Sequence, residues 1–270
     1  MPELPEVETI RRDLEILHQQ KIIAIYRSDK KMRLESNVDL QSLINVKINQ
    51  VKRQARYLLI ELSNQHTLII HLGMSGRLSI VNSFSQLKHD HFACQISNQQ
   101  WLVFNDPRRF GFVDLIANKN LSQHKMLVKL AVEPLSTQFN FQYLKAKLAK
   151  KTLNIKTAIM DNQIVVGVGN IYASESLFDA KILPTKSANS LNDNELKKLV
   201  ASIKKIISNA IEQKGSSIAN YHDAKGNLGN FQNNHLVYDK ANLPCRVCDT
   251  EITRIVQNGR ASFYCQKCQK

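Results

Sequence analysis

Apolar and polar positions along this chain change their period twice, and the changes divide it into stretches. Near the start, Val7, Ile10, Leu14 and Leu17 recur at helical spacing with Arg11, Arg12 and Asp13 between them. Pro5 suits the first turn of that helix, where its missing N–H costs nothing. From about residue 21 to 117 the pattern shortens to β-like runs: IIAIY, YLLIEL, TLIIHL, FACQI, WLVF and FGFVDLI. Such strands at close spacing predict an antiparallel sandwich or barrel.

Beyond about residue 120 the helical period returns. NDNELKKLVASIKKIISNAIEQKG places Leu196, Leu199, Val200, Ile203, Ile207 and Ile211 on one face, and Gly215 can close the helix. Residues 215–235 are polar and rich in Gly and Asn, which predicts a long loop. No internal repeat is present.

Charge narrows the function. The 270 residues carry 37 Lys+Arg against 23 Asp+Glu, a formal net charge of +14, with a pI near 9.6. That balance points to a polyanion, DNA or RNA ahead of a membrane surface, although a basic soluble protein has the same composition. No apolar run approaches the roughly 18 residues needed to span a bilayer. The acidic N-terminus has no signal-peptide core, so a cytoplasmic protein is expected.

Of five cysteines, Cys94 stands alone and four fall in the last 26 residues. Cys245-x2-Cys248 and Cys265-x2-Cys268, 16 residues apart, supply four thiolates for one tetrahedral Zn²⁺. Four protein ligands leave no position for substrate, so that zinc is structural. Disulfides or free thiols are the alternative, disfavoured in a cytosolic chain. Between the pairs, EITRIVQ and RASFYC read as strands joined by Asn258-Gly259, a strong hairpin signal. Arg260 then sits at the hairpin tip, as a solvated charge or a nucleic-acid contact.

Three other features bear on phosphate or base recognition. Val166-Gly167-Val168-Gly169-Asn170 precedes the helical IYASESLF; it is a plain loop or a phosphate-facing helix start. Lys145, Lys147, Lys150, Lys151 and Lys156 form a basic run with no acid between Glu133 and Asp161. Such a run is a solvated helix face by default. In DPRRFGF, Arg108 and Phe110 make either a strand edge with a core Phe or a wedge into a base stack.

Together, MPELPEVET, HLGMSGRL, KHDH, DPRRFG, EPLS, MDNQIVVGVGNIYASESLF and CRVC…GRASFYCQKC resemble the formamidopyrimidine-DNA glycosylases over essentially the whole chain. The resemblance implies an α+β multidomain fold: an N-terminal β-sandwich with an N-terminal helix (1–132), a helix-two-turns-helix domain with a lesion loop (133–235), and a zinc-finger hairpin (236–270). It also implies a monomer acting on damaged double-stranded DNA at the bacterial nucleoid, in base excision repair.

By the same resemblance, the initiator Met is removed and Pro2 becomes a nucleophilic secondary amine. An α-amino group has a pKa near 8, and the positive end of the first helix should lower it. Glu3 is implied as general acid/base, and Glu6 as a support for the amine or a water. Met74, Arg108 and Phe110 are implied to fill the gap left by the everted nucleotide, with Arg108 reading the estranged cytosine. His89, Lys151 and Asn170 are implied phosphate contacts, and Lys156, just beyond that basic run, is an implied DNA-binding residue; Arg260 clamps phosphates beside the lesion, and residues 215–235 close over the flipped base. Arg56 stands where the family commonly has lysine, and it is a poor proton donor or acceptor there. An endonuclease VIII-like enzyme for oxidised pyrimidines and a non-catalytic lesion-binding module are the alternatives.

Overall fold

The computed structural model describes residues 2–34, 39–217 and 221–270. The first helix, α1 (Leu4–Asp13), starts after Glu3, and the Glu6 carboxylate reaches back to accept the Glu3 N–H at 2.8 Å. Eight strands follow: β1 (Ile22–Arg27), β2 (Ile48–Gln54), β3 (Tyr57–Leu62), β4 (His66–His71), β5 (Arg77–Val81), β6 (Asp90–Ile96), β7 (Trp101–Asn105) and β8 (Phe112–Ala117). They form two antiparallel four-stranded sheets, ordered β1-β6-β7-β5 and β2-β3-β4-β8.

The sandwich and its helix share one core. Leu58, Ile60, Leu68 and Ile70 from one sheet meet Leu78, Phe92, Leu102 and Phe104 from the other, and Val7, Ile10, Leu14 and Leu17 complete it. These alternate inward along each strand, as period-2 burial requires. Two strands carry too weak an apolar pattern to be read from sequence. In β2 the buried positions are Ile48 and Val51, and in β5 only Leu78 is fully buried. Both lie at sheet edges, where polar residues face water.

The helical part contains α2 (Phe141–Leu148), α3 (Ile155–Ile159), α4 (Asn170–Asp179) and α5 (Asp193–Glu212). The expected face of α5 is buried, with Ile206 and Ala210 added to it. Asn192 caps its start: the Asn192 side chain accepts from the Glu195 N–H, and the Glu195 carboxylate accepts from the Asn192 N–H, each at 3.0 Å. The last strands, β9 (Thr253–Gln257) and β10 (Arg260–Tyr264), form the hairpin, closed by Asn258 and Gly259 at φ +48° and +73°. Both central residues being left-handed is the type I′ geometry that Asn-Gly favours.

By contact density the chain divides into two compact units, 1–128 with 213–230, and 129–212 with 231–270. The 213–230 stretch is knitted into the first unit. The Ala224 N–H donates to the Asp13 carboxylate at 3.1 Å, and the Ala224 carbonyl accepts from the Ile80 N–H at 2.9 Å. Residues 218–220, within the loop expected over the flipped base, lie outside the described residues, as does Met1. Among the described residues no helix is long and apolar enough to cross a membrane.

Candidate active site

At the chain start, Pro2 and Glu3 directly precede α1, and Glu6 lies in its first turn. Glu3 is 4% exposed and Glu6 2% exposed, while Pro2 is half-buried. The Glu3 N–H is held by Glu6, and the Glu3 carbonyl accepts from Val7 at 3.2 Å. Pro2 is therefore placed one peptide before a fully anchored residue, at the positive end of α1.

Glu6 does more than complement a helix dipole. Its second carboxylate oxygen accepts the Ser216 N–H at 2.8 Å, and its carbonyl accepts from the Tyr221 hydroxyl at 3.2 Å. Gly215, at φ +77°, allows this approach, since a Cβ there would lie 2.6 Å from the same Glu6 oxygen. Glu6 thus joins the N-terminal helix to the 213–230 stretch. Glu8, also on α1, pairs with Arg11, Arg12 and Arg53.

Arg56 is buried in the turn between β2 and β3, after Ala55 at φ +53°. Nearby, His71 lies between Tyr57 and Phe112, with ring centroids 4.8 and 5.7 Å away, and its Nδ1 accepts the Gly73 N–H at 3.2 Å. Burial, then the charges of Arg33 and Arg56, push its pKa down to about 4. His235, in the second unit, is pushed down to about 4 by burial and then Lys240.

These two histidines make stability depend on pH. The unfolded chain protonates them near pH 6.5, the folded chain only near pH 4. Their contribution is therefore complete above 6.5, falls as pH drops through that window, and levels off below 4. Each shift corresponds to about 3 kcal/mol. Denaturant midpoints are expected to fall between pH 7.5 and 5, and a His71→Gln, His235→Gln double variant should flatten that slope.

Met74 and Phe110, apolar and on turns, are 46% and 43% exposed. The Arg108 guanidinium lies over the Phe110 ring at 4.7 Å, and Arg108 is itself exposed. The alternative of a core Phe110 is thereby removed. His89 is half-buried, in the turn before β6.

The second unit holds the remaining candidates. Lys151 and Arg260 are exposed, and Asn170 is the first residue of α4. Lys156, expected from sequence to bind DNA, is instead 2% exposed and turns inward. Its ammonium donates to Asn170 Oδ1 at 2.6 Å, the Ala261 carbonyl at 2.7 Å and Ser262 Oγ at 2.8 Å. A buried ammonium needs such acceptors, and one basic residue in a run gives no sign of turning inward. Because Lys156 fixes Oδ1 as the acceptor, the Asn170 amide presents its N–H₂ elsewhere as a donor. Lys156→Met should cost a few kcal/mol, since it strands buried acceptors; thermal denaturation of purified variant and wild type measures it.

Glu175 escaped the sequence reading. This buried carboxylate on α4 accepts the backbone N–H groups of Leu236, Val237 and Tyr238 at 2.7–3.0 Å, anchoring the segment that leads to the hairpin. Its signal was one Glu in a helix that also carries Ser174, Ser176 and Asp179, which alone marks no site.

The four sulfurs of Cys245, Cys248, Cys265 and Cys268 lie within 4.8 Å of one another. Tetrahedral Zn–S bonds of about 2.3 Å require sulfurs about 3.8 Å apart; the 3.4 and 3.9 Å separations bracket that value. The four thiolates form a site able to bind one structural zinc ion, and Cys94 is a buried core thiol.

Family models match along the chain: the formamidopyrimidine-DNA glycosylase N-terminal domain at 1–113, the H2TH domain of the same enzymes at 130–222, and the zinc finger found in FPG and IleRS at 242–270. The chain belongs to the formamidopyrimidine-DNA glycosylase family. The formamidopyrimidine-DNA glycosylase of Rickettsia bellii is 42% identical over 278 residues, covering 100% of both chains. A Lactococcus lactis FPG mutant, solved with Fapy-dG-containing DNA, is 34% identical with a TM-score of 0.92 over 100% of both chains. L. lactis Fpg solved with DNA containing an abasic site is 34% identical, with a TM-score of 0.90 over 99% of each chain.

Proposed function

We propose that this protein excises oxidised purines, 8-oxoguanine and formamidopyrimidines, from double-stranded DNA and then cuts the strand as an abasic-site lyase. The observation that carries the reading is the N-terminus: a proline one peptide before a buried, backbone-anchored glutamate, at the positive end of a helix. The abasic-site and Fapy-dG complexes of the L. lactis relatives support the substrate class.

With Met1 removed, the Pro2 nitrogen attacks C1′ of the damaged nucleoside, and the bond from C1′ to the base breaks. Glu3 gives a proton to the sugar ring oxygen as the ring opens. The Pro2 N–H proton is lost as the ring opens, and the product is an iminium that has no N–H left and so stays cationic. That cation acidifies C2′. Loss of the C2′ proton expels the 3′ phosphate, and a second elimination expels the 5′ phosphate. Water then releases the sugar fragment and restores the amine.

In this reading Met74, Arg108 and Phe110 occupy the space of the everted nucleotide. His89, Lys151, Asn170 and Arg260 hold phosphates, and Arg56 adds a fixed cation. The chain acts as a monomer in the bacterial cytoplasm.

Borohydride trapping tests this directly. Duplexes carrying 8-oxoguanine, a formamidopyrimidine or an abasic site opposite cytosine should each give a covalent adduct and a strand gap ending in phosphates on both sides. A strong preference for oxidised pyrimidines would move the enzyme to the endonuclease VIII-like class. No adduct on abasic DNA would refute the lyase chemistry.

A further inference from the structure

Met74, Arg108, Phe110 and His89 lie on three separate turns, yet all three turns meet at one residue. Asp106 is fully buried. One of its carboxylate oxygens accepts the Ser75 hydroxyl at 2.6 Å, and the other accepts the Gly111 N–H at 2.8 Å. Its carbonyl accepts from the Arg109 N–H at 3.2 Å and lies 3.1 Å from His91 Nε2. Its own N–H donates to the His89 carbonyl at 2.9 Å.

Ser75 closes the arrangement. While its hydroxyl donates to Asp106, its oxygen accepts the Arg108 N–H at 3.2 Å. Ser75 follows Met74, and Arg108 precedes the Arg109 that bends the second turn at φ +56°. The two turns also touch through backbone: a Cβ on Gly73 would lie 2.4 Å from the Gly111 nitrogen. Neither turn can shift alone without leaving a buried carboxylate oxygen unpaired.

We propose that Ser75 and Asp106 are positioning residues that hold the Met74 turn and the Arg108–Phe110 turn as one rigid wedge. This wedge sets how well the enzyme everts the damaged nucleotide and discriminates the base opposite it. The inference rests on the glycosylase reading above. Neither residue touches the substrate; they act by fixing the backbone from which exposed Met74, Arg108 and Phe110 project. An apolar side chain inserted in a base stack must hold its place against restacking, and a mobile turn loses that contest.

The reaction supplies its own control. A preformed abasic site has no base to evict, so strand cleavage there needs the Pro2 chemistry but little of the wedge. Ser75→Ala should lower single-turnover 8-oxoguanine excision opposite cytosine about tenfold, the rate equivalent of one charge-assisted hydrogen bond. Its preference for cytosine over adenine opposite the lesion should shrink, while borohydride trapping on abasic duplex stays within about threefold of wild type. Ser75→Thr, which restores the hydroxyl, should recover both excision and discrimination. Asp106→Asn, which turns one acceptor into a donor, should go further in the same direction if it folds.

Excision and abasic trapping that fall together in Ser75→Ala would overturn the proposal, as would unchanged excision and discrimination. Failure of the glycosylase reading looks different: wild type itself would give no adduct on either DNA.

Discussion

Protein that retains Met1 is expected to release no damaged base and to give no borohydride-trapped adduct, while binding damaged duplex normally. In that form the Pro2 nitrogen is part of an amide. Its lone pair is delocalised into the carbonyl and cannot attack C1′. Excision should fall by three orders of magnitude or more, about 4 kcal/mol in the barrier. Nothing else need change: α1 is capped by Glu6 on the Glu3 N–H, and Glu6 is fixed by Ser216, so the helix start does not rely on a free amine. Pro2→Gly separates two properties of the nucleophile. A primary amine can still form a Schiff base, but that imine can shed its N–H proton and lose its charge, and it has no ring to fix its direction, so trapping should drop while affinity holds. The assay is single-turnover excision and trapping on 8-oxoguanine and abasic duplexes, with affinity measured separately. Wild-type trapping by a Met-retaining preparation, verified intact by mass, would remove Pro2 as nucleophile.

What the sequence made legible follows the strength of local pattern. Six strands of the sandwich showed because each is an apolar run, and α5 showed because six of its buried residues repeat at helical spacing. The edge strands β2 and β5 stayed hidden, since INQVKRQ and RLSIV carry polar residues where one face meets water. Site residues divide the same way. Pro2 and Glu3 drew their expected roles only from the resemblance, while the cysteine pairs have meaning at fixed short spacing. Lys156 does not: its inward turn depends on Asn170, Ala261 and Ser262, the last two more than 100 residues away. Asp106 and Ser75 are 31 residues apart, and no local pattern marks a carboxylate as the knot between turns. Partners distant in sequence become readable only once the strands bring them together.

Removing the zinc should abolish tight DNA binding. The apolar core around the hairpin is small: Phe178, Val237, Ile252 and Phe263, with the buried thiols Cys245 and Cys265 among them. So few residues cannot hold such a lobe, and small metal-bound modules draw about 10–16 kcal/mol of folding free energy from the ion. Without it, four sulfurs packed within 4.8 Å lose their common partner. The hairpin that carries Arg260 then has no fixed position, and Lys156, which orients Asn170, loses its Ala261 and Ser262 acceptors. On the proposed reading two phosphate contacts then fail together, so affinity should fall about a hundredfold or more at moderate salt. Arg260→Ala is the comparison that isolates the contact. It should keep one zinc per chain and the wild-type melting profile, yet bind more weakly with a shallower salt dependence, by about one released counterion. Cys245→Ser should lose both metal and binding. The measurements are zinc release by a strong chelator, followed colorimetrically, and duplex titration across a salt series. Chelated protein that has released its full equivalent of zinc and still binds duplex at wild-type affinity would show that the zinc-held hairpin makes no contribution to the DNA interface.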